Sequence, residues 1–168
     1  MKTKKHRGIT LIELIVTLAI VLIVTSAAFN FFIPSTKALN NVEVNNNLQN
    51  EGENAINKIS EYSMGASSIK GINSSVFKEE TFISATEIYN ITFNLFESEE
   101  HEYKIEANKL TFRKSGEVDG KNICNYVDKL IIEPIKNNEG KTYGIKINLI
   151  LKLNNTSKNF QNRIYFRN

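Results

Sequence analysis

The fold of this chain is decided by residues 9–33, which read ITLIELIVTLAIVLIVTSAAFNFFI and run directly into Pro34. These 25 residues are apolar apart from three threonines, one serine, one asparagine and one acid. As a helix that rises about 1.5 Å per residue, the segment spans roughly 37 Å and can cross a bilayer core of about 30 Å with some tilt. The segment therefore predicts a membrane helix.

The charge of the chain is distributed unevenly around this segment. Of the 21 basic and 18 acidic residues, 4 bases precede the apolar run and 1 acid, Glu13, lies inside it, so the rest of the chain is neutral. The leading bases are Lys2, Lys4, Lys5 and Arg7. Such residues stay on the cytoplasmic side of a membrane, which predicts a head outside the cytoplasm. Because a neutral body shows no basic face, no direct nucleic-acid site is expected.

Three roles are open to the apolar run: a plain membrane anchor, a cleaved secretory signal, or the start of a mature chain that is cut just before it. Residues 26–28, Ser-Ala-Ala, are small enough for a signal peptidase, but the run before them exceeds the usual length of about 7–15 residues. Glu13 favours the third role, because a carboxylate in a membrane helix is costly and marks a functional position.

Residues 7–14, Arg-Gly-Ile-Thr-Leu-Ile-Glu-Leu, resemble the class III signal of type IV pilins and pseudopilins. The resemblance rests on a short basic leader, the glycine, the Thr-Leu-Ile-Glu core and an apolar run that continues past it. It implies that a prepilin peptidase cuts between Gly8 and Ile9 on the cytoplasmic side and methylates the new N-terminus at Ile9. The usual first residue in that family is Phe, so Ile9 departs from the pattern.

Glu13 becomes the fifth residue of the mature chain if this cleavage takes place. The resemblance implies that Glu13 of an incoming subunit pairs with the N-terminal amine of its neighbour during assembly. Isolated charges in hydrocarbon are costly, and pairing relieves both of them. The alternative is that Glu13 extends toward the nearby membrane interface without any partner subunit.

Pro34 follows the apolar run and has two interpretations. Inside a helix it removes one backbone hydrogen bond and bends the axis, as in many pilins. Alternatively, Pro34 and Ser35 end the membrane helix, and Ser35 caps a new one. Residues 37–62 predict a second, amphipathic half of the helix that docks on a β-sheet. Its apolar face consists of Leu48, Gly52, Ala55, Ile56, Ile59 and Tyr62.

The remainder of the chain predicts a connecting loop and then antiparallel strands. Residues 63–86 are small and polar and predict a loop, with at most a short strand at Val76–Phe77 or Thr81–Ile83. Alternating apolar residues then predict strands near 89–95, 103–105, 110–112, 126–136, 143–153 and 160–166. Tight turns are expected at Asn108–Lys109 and at residues 137–140. Pro134 indicates that its strand lies at an edge or ends early.

This order predicts an α+β fold in which a long N-terminal helix, half membrane-spanning and half amphipathic, packs on an antiparallel sheet, as in pilins. The expected division is a leader at 1–8, a membrane or filament-core helix at 9–33, an amphipathic half at 34–64, and a loop with a sheet head at 65–168. The head resembles that of J-type minor pilins in two places. These are residues 103–113, with the Tyr…Leu-x-x-Arg hairpin, and residues 163–168, which close in Arg-Asn.

The sequence offers no constellation for catalysis, a metal or a cofactor. It contains no Gly-x-Ser-x-Gly, His-Glu-x-x-His, phosphate-loop or dinucleotide motif, so no enzyme is expected. His101 lies in an acidic stretch without a second His or Cys nearby, which predicts a solvated turn. Cys124 is the single cysteine, cannot form an internal disulfide, and is expected to be buried near the strands.

Together these features predict a minor pilin or pseudopilin that primes assembly of a type IV pilus-like filament near its tip. The alternatives are a major pilin, or a single-pass anchored protein with an extracellular binding or enzymatic domain. The expected partners are other major and minor pilins, the prepilin peptidase, the inner-membrane assembly platform and the membrane. The expected location is the cytoplasmic membrane, followed by a cell-surface pilus or pseudopilus. Pilus, competence and type II secretion systems all fit the sequence.

Overall fold

The structure, a computed structural model, describes residues 10–167. The chain divides into two compact units, of which the first ends at Glu43 and the second begins at Val44. The first unit contains the apolar segment. The second contains the rest of the helix and all strands of the described part of the chain.

Helix α1 comprises 52 residues, Leu11–Tyr62, and continues through Pro34. The interpretation in which Pro34 and Ser35 end the membrane helix is therefore wrong. Ser35 Oγ donates to the carbonyl of Phe31 at 2.8 Å, and Thr36 Oγ1 donates to that of Ile33 at 2.9 Å. Both hydroxyls are thus satisfied inside the helix, where a capping residue would instead accept from backbone N–H groups ahead of it.

The later part of α1 packs on the sheets, as the spacing of its apolar residues predicts. Its buried residues are Leu48, Gly52, Ala55, Ile56 and Ile59. At Gly52 a Cβ atom would lie 2.1 Å from the Cε2 atom of Phe160, so any side chain at this position would require that ring to move. Tyr62, the last helical residue, stacks on Phe112 with ring centroids 4.3 Å apart.

The strands form two antiparallel sheets against this helix. A six-stranded sheet has the order β2-β1-β4-β5-β6-β7, and a four-stranded sheet has the order β10-β9-β8-β3. The strands are β1 (Ser68–Ile72), β2 (Ser75–Val76), β3 (Thr86–Ile88), β4 (Asn90–Asn94), β5 (Glu100–Glu106), β6 (Lys109–Lys114), β7 (Lys121–Cys124), β8 (Val127–Lys136), β9 (Thr142–Leu153) and β10 (Thr156–Tyr165). The predicted α+β architecture, a long helix packed on antiparallel strands, is confirmed, but the strands form two sheets where a single sheet was predicted.

The predicted loop at 63–86 is partly wrong, because it contains the hairpin of β1 and β2. Strand β1 pairs with β4 as well, and the pairing shifts register between Ile69 and Gly71. Its residues, Ser-Ile-Lys-Gly-Ile, mix two strand-favouring isoleucines with a serine, a lysine and a glycine, so they do not show the regular alternation of a predicted strand. Pairing with β4 fixes this segment as a strand. Strands β3 and β7 are likewise short and were not predicted.

Two details of the later strands differ from the sequence prediction. The turn between β5 and β6 is Ala107–Asn108, with φ of 49° and 60°, and Lys109 already belongs to β6. Two successive residues at positive φ are typical of a type I′ hairpin turn. Strand β10 begins at Thr156, four residues before the predicted start, because Asn154 at φ 55° turns the chain directly after β9.

Pro134 lies within β8, opposite Ile145 of β9, and the strand continues to Lys136. The predicted early end is therefore wrong. The predicted edge position holds locally, because β3 pairs with β8 at Leu130–Ile132 and does not reach Pro134. A residue without an N–H group is tolerated where one side of the strand has no neighbour.

Candidate functional site

The residues predicted to direct processing fall at the N-terminal end of the chain. Six of them lie outside the described residues: Lys2, Lys4, Lys5, Arg7, Gly8 and Ile9. The description begins at Thr10 and therefore includes Glu13 and Pro34, the other two predicted site residues.

The apolar segment of α1 is exposed along its whole length. Its large side chains range from 51% exposed at Val16 to 77% at Leu11 and Phe31. Within residues 10–167, α1 is the one helix that is long and apolar enough to cross a membrane. Full burial of a Leu, Ile or Phe side chain gains about 1.5–3 kcal/mol, so this surface is strongly driven toward lipid or toward other helices.

Thr10 and Glu13 close the first turn of this helix with reciprocal hydrogen bonds. Glu13 Oε2 accepts from the Thr10 backbone N–H at 3.1 Å and from Thr10 Oγ1 at 3.0 Å. Thr10 Oγ1 accepts from the Glu13 backbone N–H at 3.3 Å. The carbonyl of Thr10 accepts the first helical bond, from Leu14 at 3.2 Å. Thr10 is therefore the N-cap residue of a capping box, and Glu13 is the N3 residue that bonds back to it.

Sequence reasoning missed the role of Thr10. The signal was present, because a Thr followed three residues later by Glu, just before an apolar run, is the pattern of a capping box. The box gives Glu13 a partner within its own subunit. It satisfies backbone donors that have no carbonyl to bind at a helix start, and it places a carboxylate at the positive end of the helix dipole.

The capping box also places the Glu13 carboxylate at the Thr10 amide, which is the second backbone nitrogen after the predicted cleavage position. After cleavage before Ile9, the new amine would stand one residue ahead of the Thr10 amide. A carboxylate there can stabilise an amine of the same chain or of a neighbouring one. Pairing between subunits stays a prediction, as does the alternative in which Glu13 only extends to the membrane interface.

Inside the apolar segment, the hydroxyl of Thr17 bonds to the helix itself. Thr17 Oγ1 donates to the carbonyl of Leu14 at 2.9 Å, in the same manner as Ser35 and Thr36 near Pro34. Such bonds are what a helix in lipid requires, since no water is available there for an unpaired hydroxyl. The bend expected at Pro34 stays a prediction.

His101 is not in a solvated turn, and that prediction is wrong. It lies on β5 with 5% of its surface exposed, edge-on to the ring of Phe112 at 5.0 Å. Its Nδ1 lies 2.6 Å from the carbonyl oxygen of Tyr62, the last residue of α1. A carbonyl only accepts, so Nδ1 carries the proton and His101 caps the end of the helix. The acidic sequence around His101 obscured this role.

Cys124 is buried, as predicted. Its Sγ atom lies 3.2 Å from the carbonyl of Asn125 and 3.8 Å from that of Glu51. Burial, with a smaller contribution from the charge of Glu51, raises the pKa of the thiol to about 12. The thiol is thus neutral and unreactive at physiological pH. Within residues 10–167, no group of three His, Cys, Asp or Glu residues is placed to hold a metal ion.

Comparison with known proteins identifies the same N-terminal segment. Residues 3–29 match the family model of the prokaryotic N-terminal methylation motif. The match includes Gly8, Ile9, Thr10 and Glu13, and it ends before Pro34. No curated protein and no solved structure matches the chain. The chain therefore carries a type IV pilin-like prepilin leader, which is followed by a helix suited to anchor it in a membrane.

Proposed function

We propose that this chain is a minor subunit of a type IV pilus-like filament and that it primes assembly near the filament tip. In this proposal a prepilin peptidase removes residues 1–8 and methylates Ile9. The membrane then holds the subunit by α1, with its head outside the cytoplasm, until the assembly platform transfers the helix into the filament.

The observation that carries the proposal is the exposed apolar half of α1 directly behind the methylation motif. The segment from Leu11 to Ile33 has no buried residue, whereas the later half of the same helix contributes Leu48, Ala55 and Ile59 to a closed core. A filament subunit needs this combination: one surface that exchanges lipid for neighbouring helices, and a head that keeps its own core during the transfer.

The minor-subunit role is favoured by the J-type resemblance of the head. Residues 103–113 form the hairpin of β5 and β6, in which Tyr103 and Leu110 are buried and Arg113 pairs with Glu102. The chain then closes in a strand that runs to Tyr165. A major pilin remains the second candidate, because the same leader and helix serve both kinds of subunit.

A single-pass anchored binding or enzymatic domain is the other alternative. The methylation motif at residues 3–29 favours the filament subunit over this alternative, because a plain membrane anchor does not need that motif. The expected partners of the proposed subunit are therefore the prepilin peptidase, the assembly platform and other pilins.

The test is to express the chain with a prepilin peptidase and to determine the mature N-terminus by mass spectrometry. The proposal expects a chain that starts at methylated Ile9, and a Gly8→Glu variant that keeps its leader. A start after Ala27 or Ala28 would show a secretory signal instead. Counting the subunits in purified filaments then separates the two pilin roles, because a major pilin makes up most of the mass.

A further inference from the structure

A cleft on the outer face of the four-stranded sheet combines exposed aromatic rings with positive charge, and the proposed function assigns it no role. It is an open cleft of about 440 Å³ where the ends of β8, β9 and β10 meet. We call it the tyrosine cleft, and its side chains are Glu133, Lys136, Tyr143, Lys146, Arg163 and Tyr165. This volume is in the range of sites that bind a few side chains or a small ligand.

The two tyrosines form one wall of the cleft. Their rings stack with centroids 5.8 Å apart and an angle of 22°, and they are 39% and 54% exposed for Tyr143 and Tyr165. Tyr165 pairs with Gly144 across the sheet, and a Cβ atom at Gly144 would lie 3.1 Å from Tyr165 Cδ1 and 2.5 Å from the Ile164 carbonyl oxygen. The absence of a side chain at Gly144 thus lets the Tyr165 ring lie close to the backbone of β9. The pairing of β9 with β10 fixes the position of Tyr165 in the cleft.

The charge of the tyrosine cleft is positive and largely uncompensated. Three cations face one carboxylate, and Lys146 Nζ is 3.9 Å from Glu133 Oε2, a loose pair. Among residues 10–167, the side chains of Arg163 and Lys136 have no hydrogen-bond or ion-pair partner. The polar groove on the six-stranded sheet differs, because there Lys70 pairs with Glu100, and Arg113 pairs with Glu102.

The unpaired cations and the exposed tyrosine rings are suited to bind a polypeptide that carries carboxylates. A guanidinium binds carboxylates through two parallel hydrogen bonds, and exposed tyrosines are typical of protein interfaces. A nucleic acid requires a longer track of cations for its phosphates, and the body of this chain is neutral. Addition of a strand to β10 is hindered at this point, because the Arg163 backbone N–H already donates to Asn162 Oδ1 at 2.8 Å.

We propose that the tyrosine cleft docks a carboxylate-rich segment of a neighbouring, different subunit of the filament. This proposal rests on the proposed function for the identity of the neighbour, and on the cleft alone for the chemistry of the contact. Arg163 provides the specific contact, Lys136 and Lys146 add positive potential, and the tyrosines bury the apolar stems of the docked side chains.

The experiment uses the full-length chain in detergent micelles and a fluorescent hexaglutamate peptide at physiological salt. The wild type is expected to bind the peptide, and Arg163→Glu to weaken binding by about tenfold or more, as for a lost charge-assisted hydrogen bond. Lys121→Glu makes the same charge change at an exposed lysine of β7, outside the cleft, and is expected to change affinity by less than about twofold.

Three results would overturn the docking proposal. One is that the wild type does not bind the peptide. Another is an equal loss in Arg163→Glu and Lys121→Glu, which would mean that only net charge matters. The third is tighter binding of a hexathymidine oligonucleotide, or of anionic lipid in mixed micelles, than of hexaglutamate. Thermal unfolding of each variant verifies that the head is intact, and Arg163→Gln repeats the test with a smaller perturbation.

The outcome is separable from that of the proposed function. Peptide binding is measured without a filament, whereas cleavage before Ile9 and incorporation into filaments test the subunit role. A chain that is cleaved and incorporated but does not bind the peptide loses only the docking proposal. A chain that binds the peptide but is never cleaved loses only the subunit role.

Discussion

Thr10 and Glu13 are bound to each other at the start of α1, where the carboxylate accepts from the Thr10 backbone N–H at 3.1 Å and the threonine hydroxyl accepts from the Glu13 N–H at 3.3 Å. Glu13 therefore has two separable properties: it completes a helix cap, and it carries a charge. Both are lost in a Glu13→Val variant, so that substitution alone cannot show which one assembly requires.

Glu13→Gln separates the two properties, because glutamine can occupy the same place in a capping box without the charge. If Glu13 pairs with the amine of a neighbour, Gln and Val should both reach wild-type levels in the membrane and both fall in the filament fraction. Glu13→Asp should be intermediate, since its side chain is shorter. The measurement is the ratio of filament to membrane protein for the wild type and the three variants. Equal ratios in all four would discard the pairing.

Glu51 anchors the turn between β7 and β8 to the helix. Its carboxylate accepts from the backbone N–H of Asn125 at 2.9 Å and from the side-chain amide of Asn125 at 3.2 Å, next to Tyr126 at φ 63°. Glu51→Ala should lower the free energy of unfolding by about 1–3 kcal/mol, because it leaves partly buried donors without an acceptor.

The matched control is Glu53→Ala, which removes an exposed carboxylate of the same helix that accepts a hydrogen bond from Gln49. It should change the free energy of unfolding by less than about 0.5 kcal/mol. Denaturant titration of both variants measures the difference. If both behave alike, the contact between Glu51 and Asn125 contributes nothing specific to stability.

His101 connects β5 to the end of α1 through its bond to the Tyr62 carbonyl. His101→Ala should lower the free energy of unfolding by about 2–4 kcal/mol, since it removes a buried ring and leaves that carbonyl unpaired. Glu99 Oε2 lies 4.0 Å from His101 Nε2 and is mostly exposed, so Glu99→Gln should have an effect below about 0.5 kcal/mol. Thermal unfolding compares the two variants. A His101→Ala variant that is as stable as the wild type would contradict the capping role.

Cys124 should resist alkylation in the folded head. Its thiol is buried and its pKa is raised to about 12, so iodoacetamide at pH 8 should modify it only after unfolding. A Cys124→Ala chain with the exposed residue Ser115 changed to cysteine provides the control, which should react rapidly without denaturant. Rapid reaction of the native Cys124 would show that the strand β7 opens readily.

The same raised pKa predicts the direction of a pH effect on stability. The unfolded thiol loses its proton near pH 9, whereas the folded thiol retains it until about pH 12. The free energy of unfolding should therefore fall as the pH rises through this interval, because the unfolded state gains from ionisation first. Cys124→Ala should remove that part of the decline. Tyr103, whose pKa burial also raises, contributes in the same direction from about pH 10 in both chains.

Local sequence determined the helix and the longest strands, because their patterns are periodic over many residues. The face of Leu48, Gly52, Ala55, Ile56 and Ile59 repeats at the spacing of a helix, and all five are buried. Strand β9 alternates from Ile145 to Leu151, and each of its apolar residues on that face is buried. The pilin-like leader could likewise be found from sequence, since its motif is short and contiguous and lies within residues 3–29.

Tertiary structure decided the features that depend on a partner far away in the chain. Strand β1 exists because β4 supplies its hydrogen bonds, and His101 is buried because the last turn of α1 presents the Tyr62 carbonyl to it. The tyrosine cleft likewise arises where β9 and β10 pair, which sets Tyr165 against Gly144 and beside Tyr143. A short or polar segment carries too little periodicity to fix its own place, so its structure follows from the neighbours that satisfy its backbone and cover its side chains.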